Sequence, residues 1–257
     1  MTQREKNEQR SYCVYKSNDL IQKTKYDLTI SEQKIVLRLI QMIKPTDTAF
    51  QWYNFDVQEF CDLCGIDNSS GSNYKRLKST IQNLSDKSFW VKLASGETSL
   101  CRWIQKAYIK DGSGTVKIRL DEDLLPYLLQ LKDNFTSYSL CYVLGMRSKY
   151  SPRLYELIKS HEFHKHLEIE LDALKEMLMA DKYDYKNFKQ KVLDVALNEI
   201  NALSDLVVEY TPIKDKRKVV ALSFDIRIKN VDETLDMITA QRMRLNDDVP
   251  DNVNFSE

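Results

Sequence analysis

The stretch YKNFKQKVLDVALNEINAL, residues 185–203, decides how this chain is read. On a helix of 3.6 residues per turn, Phe188, Val192, Val195, Ala196 and Leu203 point inward. Asn187, Gln190, Asp194, Asn198 and Asn201 lie opposite, with Lys186 and Lys191 on the flanks and Lys189 as a third cation. A face that merely meets water would favour Glu and Lys, which form helices well, over three asparagines. Amides suit the DNA major groove: Asn or Gln pairs bidentately with adenine, Asp accepts from cytosine, and lysines hold phosphates.

Downstream, two predicted strands follow, Leu206 to Thr211 and Val219 to Ile228. Between them stands Lys214-Asp215-Lys216-Arg217-Lys218, four cations in five residues, where a wing would meet phosphate or minor groove. A helix from Val231 to Arg244 precedes an acidic tail, 245–257. Upstream, Phe135 to Arg147 reads as a connecting helix. Ser151, with Pro152 at the first helical position, opens a helix through Phe163, and a strand Leu167 to Glu170 leads into a helix Leu171 to Met179.

The first half carries the same order. After an arm, 1–17, expected to be loose, a short helix spans Asn18 to Tyr26. Ser31 caps a second helix, with Ile35, Leu39, Ile40 and Ile43 inward, that Pro45 ends. Phe55 to Cys64 forms a helix closed by Gly65, residues Gly65 to Gly71 make a turn, and Asn73 to Leu84 forms the next helix. Strands run over Phe89 to Leu93, Leu100 to Ile109 and Thr115 to Leu120, with a tight turn at Asp111 to Gly114. On the helix from Asn73, Tyr74, Leu77, Ile81 and Leu84 form the apolar stripe, leaving Lys75, Arg76, Ser79 and Asn83 outward. A textual echo joins the halves: Tyr74-Lys75-x-Leu77-Lys78-x2-Ile81 against Tyr185-Lys186-x-Phe188-Lys189-x2-Val192, each followed by Leu-Ser-Asp. The fold expected is α+β: two tandem winged-helix domains, mostly helical with small antiparallel β-wings, at 18–132 and 133–244.

Composition narrows the function. Lys+Arg and Asp+Glu both number 38 in 257 residues, so the chain is no simple polycation. Charge is distributed, however: residues 1–131 hold 19 basic and 16 acidic side chains, residues 132–257 hold 19 and 22, and four of the latter acids lie in the tail. Six glycines and no Gly-x4-Gly-Lys-Ser/Thr or Gly-x-Gly-x2-Gly give no nucleotide cradle, and no apolar run suits a membrane span. Five cysteines argue against a disulfide framework and for a reducing cytoplasm. The lone pair Cys61 and Cys64 lacks further zinc ligands and reads with Val57 and Phe60 as a buried helix face. No cofactor, metal site or catalytic residue is expected. His161, His164 and His166 invite a nicking-enzyme reading, in which two histidines flank an apolar residue, hold a metal and help a tyrosine such as Tyr185 attack phosphate. The middle residue here is Lys165, a cation that would repel the ion.

From about Asn18 to Ile228 the chain resembles the Rep_3 family of plasmid replication initiators. The most specific stretches are Phe188-Lys189-Gln190-Lys191-Val192-Leu193, Ala196, Asn198-Glu199-Ile200-Asn201, Arg217-Lys218-Val219-Val220 and Phe224-Asp225-Ile226. Ser31-x-Gln33-Lys34, Leu125-Pro126-Tyr127-Leu128-x2-Leu131-Lys132, Phe135-Thr136-x-Tyr138 and Tyr150-Ser151-x-Arg153-Leu154-Tyr155-Glu156-Leu157 also match. The resemblance departs at the wing, where a glycine usually precedes the basic pair and Lys216 stands instead. It implies a non-enzymatic, sequence-specific binder of double-stranded DNA that occupies direct repeats, iterons, at a plasmid origin as a monomer and assists opening. It also implies a dimer that represses its own gene at an operator, and recruitment of host initiator and replicative helicase. By carry-over the helix at Tyr185 is the main reader and the helix at Tyr74 the secondary one, with dimerisation on the first domain. A rolling-circle nicking initiator and a pure plasmid or phage repressor are the alternatives.

Overall fold

The structure, a computed structural model, describes residues 13–44, 47–64, 72–93, 95–110 and 113–246, without the side chains at 62–64, 72–74, 76 and 246. The expected turn at Gly65 to Gly71, most of the arm and the tail from residue 247 lie outside the described residues, as do Pro45, Asp111 and Gly112.

The first half begins with strand β1 (Cys13–Ser17), helix α1 (Asn18–Lys23) and helix α2 (Ile30–Gln41). The cap of α2 is Thr29 rather than Ser31: Thr29 Oγ1 accepts the Glu32 N–H at 3.3 Å, and Glu32 returns a carboxylate to the Thr29 N–H at 2.6 Å. A glutamate three residues after a threonine satisfies two otherwise orphaned donors, so it sets the helix start two residues earlier than Ser31. Strand β2 (Tyr53–Asp56), helices α3 (Val57–Cys64) and α4 (Ser72–Asp86), hairpin β3 (Ser88–Lys92) and β4 (Thr98–Arg102), and hairpin β5 (Ile104–Ile109) and β6 (Thr115–Leu120) follow. The run expected as one strand, Leu100 to Ile109, breaks at Trp103. That side chain is fully buried against Phe89 and Tyr26 at ring separations of 4.8 and 5.1 Å, turning the chain from one sheet into the next.

A short helix α5 (Leu125–Leu128) leads to strand β7 (Phe135–Ser139) and helix α6 (Cys141–Leu144). The connecting helix expected over Phe135 to Arg147 is therefore replaced by a strand and one helical turn. Burial alternates there, Thr136 and Tyr138 inward with Phe135 and Ser137 outward, the period of a strand. Its partner is β1, antiparallel from Cys13 opposite Ser139 to Ser17 opposite Phe135. Residues on either side of the expected division at 132 are thus hydrogen-bonded to one another, and Cys13 to Ser17, read from sequence as loose arm, are a paired strand.

The second half continues with α7 (Tyr150–Lys159), β8 (His166–Glu170), α8 (Leu171–Met177), α9 (Tyr185–Phe188), a π-helical turn over Lys189–Leu193, and α10 (Asp194–Leu203). Helix α7 ends before the expected Phe163, and Ser151 lies inside it rather than capping it. Strands β9 (Leu206–Asp215) and β10 (Lys218–Ile228) form a long hairpin, and α11 (Val231–Asn246) closes the described chain, two residues into the expected tail.

The two halves share one plan. In the first, the strand order is β2-β6-β5; in the second, β8-β10-β9. In each, a short strand precedes two helices and pairs with the last strand of the hairpin that follows them. The halves differ by an insertion, the β3–β4 hairpin, between helices and wing in the first. Both use the longer second helix, α4 or α9 with α10, to fill the sheet's inner face: Leu77, Ile81 and Leu84 in one, Phe188, Val192, Leu193, Ala196 and Ile200 in the other, all buried.

Beneath β1 lies a buried polar cluster. Lys16 Nζ donates to both carboxylate oxygens of Glu156 at 2.8 and 2.9 Å, and Tyr138 Oη donates to the same group. Arg153 reaches Tyr26 Oη at 2.7 Å and the Thr24 carbonyl at 3.0 Å. Burial opposes ionisation of Glu156, yet Lys16 and Arg153 outweigh it and hold the carboxyl below the usual carboxylate range.

Candidate nucleic-acid interface

The second helix pair presents its face through a distortion. At the end of the π turn the Asp194 N–H donates to the Lys189 carbonyl, five residues back instead of four. One extra residue in the turn rotates everything after it by about 100° relative to an unbroken α-helix. Val195, expected inward, is consequently exposed. Asn201, expected outward, is drawn half inside, where its Nδ2 donates to the Val208 carbonyl at 3.0 Å and its Oδ1 accepts the Val208 N–H at 2.7 Å. Asn201 therefore clamps α10 to β9 and is not a free reading group. Glu199 also faces inward. It accepts from the Arg147 N–H at 3.0 Å, the Ser148 N–H at 3.1 Å, Ser151 Oγ at 2.6 Å and Arg244 at 3.2 Å, so it ties α10 to the start of α7 and to α11.

Lys186, Gln190, Lys191 and Asn198 stand exposed on the outer side. Asp184 caps α9: its Oδ1 accepts the Asn187 N–H at 2.7 Å and Asn187 Nδ2 at 2.9 Å. Those two hydrogen bonds from Asn187 hold the Asp184 carboxyl below its ordinary value. They also commit one end of the Asn187 amide, which is half-buried. Lys189 Nζ donates to Asp194 Oδ2 at 2.7 Å, raising the lysine's pKa, while Tyr210 Oη donates to Asp194 Oδ1 at 3.4 Å. Asp194 is thus a half-buried, partly neutralised carboxylate bridging helix and wing.

At the wing, Asp215 pairs with Lys218, leaving Lys216 and Arg217 as the turn. Lys214, Lys216, Arg217 and Lys218 are all exposed. Lys216 adopts φ +54°, the left-handed conformation that glycine occupies without strain. The wing geometry a glycine would permit is therefore kept, with a cation in its place. In the first half, Lys75, Ser79 and Asn83 line the exposed side of α4, while the side chain of Arg76 lies outside the described residues. His164 ends a single 3₁₀ turn and His166 opens β8; His166 Nδ1 lies 3.4 Å from Asp225. Cys61 is buried as expected for a helix face, and Cys64 lies among the undescribed side chains.

Two helix pairs, each backed by a three-stranded sheet and a wing, define a tandem winged-helix DNA-binding protein. The family model described as "Initiator Replication protein, WH1" matches residues 13–159, and "Initiator Rep protein, WH2" matches residues 170–226. The chain belongs to this Rep_3 family of replication initiators. It is 30% identical over 241 residues to a replication initiation protein of Escherichia coli, covering 88% of this chain and 72% of that one. It is 31% identical over 149 residues to the PI protein of Escherichia coli, covering 50% of this chain and 48% of that one. In structure it is similar to the Pi initiator protein crystallised with iteron DNA, at a TM-score of 0.69 and 21% identity over 86% of this chain and 99% of that one. Among the described residues, no helix is long and apolar enough to cross a membrane.

Proposed function

We propose that this chain initiates replication of a bacterial plasmid by gripping direct repeats in the origin, one monomer per repeat. The observation that carries the reading is the exposed row Lys186, Gln190, Lys191 and Asn198 on the second helix pair beside a wing of exposed Lys214, Lys216, Arg217 and Lys218. Amides and cations alternate there, so bases can be read while phosphates are neutralised. Asn187, Lys189 and Asp194 lie among this row; with their partners exchanged for DNA they add contacts to it. The first winged helix contributes secondary contacts through Lys75, Arg76, Ser79 and Asn83, together with a surface for a second copy.

The family relationship and the iteron complex of a structural neighbour support the same reading. On it, the monomer bends or opens adjacent DNA and presents it to host initiator and replicative helicase in the cytoplasm, and a dimer represses the gene at an inverted operator. It does so without cutting DNA.

Footprinting of the DNA upstream of the gene tests this. A ladder of protected direct repeats is expected, with permanganate-reactive thymines beside them on supercoiled DNA. A single protected palindrome without melting would leave only a repressor, and nicked circles carrying a covalent protein adduct would make the protein a nickase using His164, His166 and a tyrosine.

A further inference from the structure

Along the outer side of α9 and α10, Lys186, Lys189, Gln190, Lys191 and Asn198 are polar, and between them Val195 stands 39% exposed. A single exposed valine on a protein surface ordinarily means little. This one reaches the surface by a specific route. In an unbroken helix Val195 would continue the stripe of Phe188 and Val192, both fully buried; the π turn at Lys189–Leu193 rotates it out and brings Leu193 and Leu197 into the core instead. Such turns are rare and concentrate where function requires a side chain to be re-aimed. Lys191, four residues before, and Asn198, three after, lie on the same line of the helix and are exposed.

The valine offers two methyl groups and no hydrogen-bonding atom. On the floor of the major groove one feature matches that chemistry, the C5-methyl of thymine. We infer that Val195 is a specificity-determining residue that packs on a thymine methyl, flanked by Lys191 toward phosphate and Asn198 toward a neighbouring base edge. This rests on the proposed insertion of the helix into DNA and adds one base preference to it, which amides and cations alone do not supply.

The test replaces each thymine of the footprinted repeat, one at a time, by deoxyuridine, which pairs identically but lacks the methyl group, and measures the Kd of the full-length protein on every duplex. Wild type is expected to lose affinity about fourfold, the equivalent of one methyl contact, at one thymine. Val195→Ala is expected to bind the unmodified repeat with the same deficit and to be indifferent to deoxyuridine there. Alanine on an exposed helical face preserves the fold, checked by circular dichroism. A deoxyuridine profile identical in the two proteins overturns the role of Val195 while leaving the helix in the groove. A wild-type protein with no preference for the repeat over random duplex overturns the placement of the helix, and this inference with it.

Discussion

Replacing Glu156 by glutamine tests how the fold is held together beneath its first strand. The carboxylate side chain is 2% exposed and that of its partner Lys16 is 1% exposed, with Arg153 at 5% and 3.5 Å away. Glutamine preserves the shape and one acceptor but removes the negative charge that pairs with both of these cations. Breaking a buried pair in this way costs about 3–5 kcal/mol, because an uncompensated charge stays in a low-dielectric interior. An exposed pair such as Lys23 with Asp19, whose side chains are 71% and 46% exposed, is worth at most about 1 kcal/mol. At roughly 2–4 °C per kcal/mol for a protein of this size, the melting temperature should fall by about 6–20 °C. Circular dichroism melts at low and high salt are the assay, and the loss should hardly change with salt since the pair is shielded from the ionic atmosphere. Lys16→Met combined with Glu156→Gln should lose much less than the two single losses together. A loss below about 1 kcal/mol for Glu156→Gln, or strictly additive losses, would refute the argument.

The same group sets a pH dependence. Its folded pKa is depressed, so its stabilisation is present above the ordinary glutamate value of about 4.3 and disappears as the pH falls from there toward the folded value. The stability gap between wild type and Glu156→Gln should close across that acid range in urea titrations and stay open at neutral pH. Gln190→Ala should lose about 1–3 kcal/mol on the repeat and almost nothing on random duplex, read by competition binding; equal losses on both would misplace the helix. Lys216→Ala should weaken both alike and reduce the salt slope by about one, whereas Lys216→Gly should do the same yet gain about 1 kcal/mol in stability from relief of the positive φ. Asn201→Ala should cost about 1–3 kcal/mol of folding stability by orphaning the Val208 backbone groups, with the pattern of base preference unchanged in a site-selection assay.

The sequence made the architecture legible because each half alternates periods of 3.6 and 2 in the same order, and because Leu77, Ile81, Leu84 and Phe188, Val192, Ala196 mark core faces without ambiguity. Lys216 announced itself as an odd residue at a turn. What stayed hidden was the π turn. An α-helical wheel places Val195 inside and Asn201 outside, and no residue type in Lys189 to Leu193 signals that one extra residue will be accommodated. Glu199 could have been suspected, since three residues after Ala196 and seven after Val192 it falls on the helix's inner stripe, where a carboxylate needs partners; they come from Arg147, Ser148, Ser151 and Arg244, dozens of residues away. Phe135 to Ser139 misled for a similar reason: five residues alternate with a strand's period, and their pairing edge is Cys13 to Ser17, over a hundred positions earlier.

That distance bears on how the protein is born. At about 5–20 residues per second of synthesis, Lys16 leaves the ribosome roughly 7–28 seconds before Glu156, 140 positions behind it. Until Phe135 to Ser139 emerge, the segment from Cys13 to Ser17 has no native edge to join, and until Glu156 follows, its lysine lacks the anion it is buried against. A charge in an unpaired strand segment disfavours stray strand pairing, so Lys16 bears on the nascent chain as well as on the folded one.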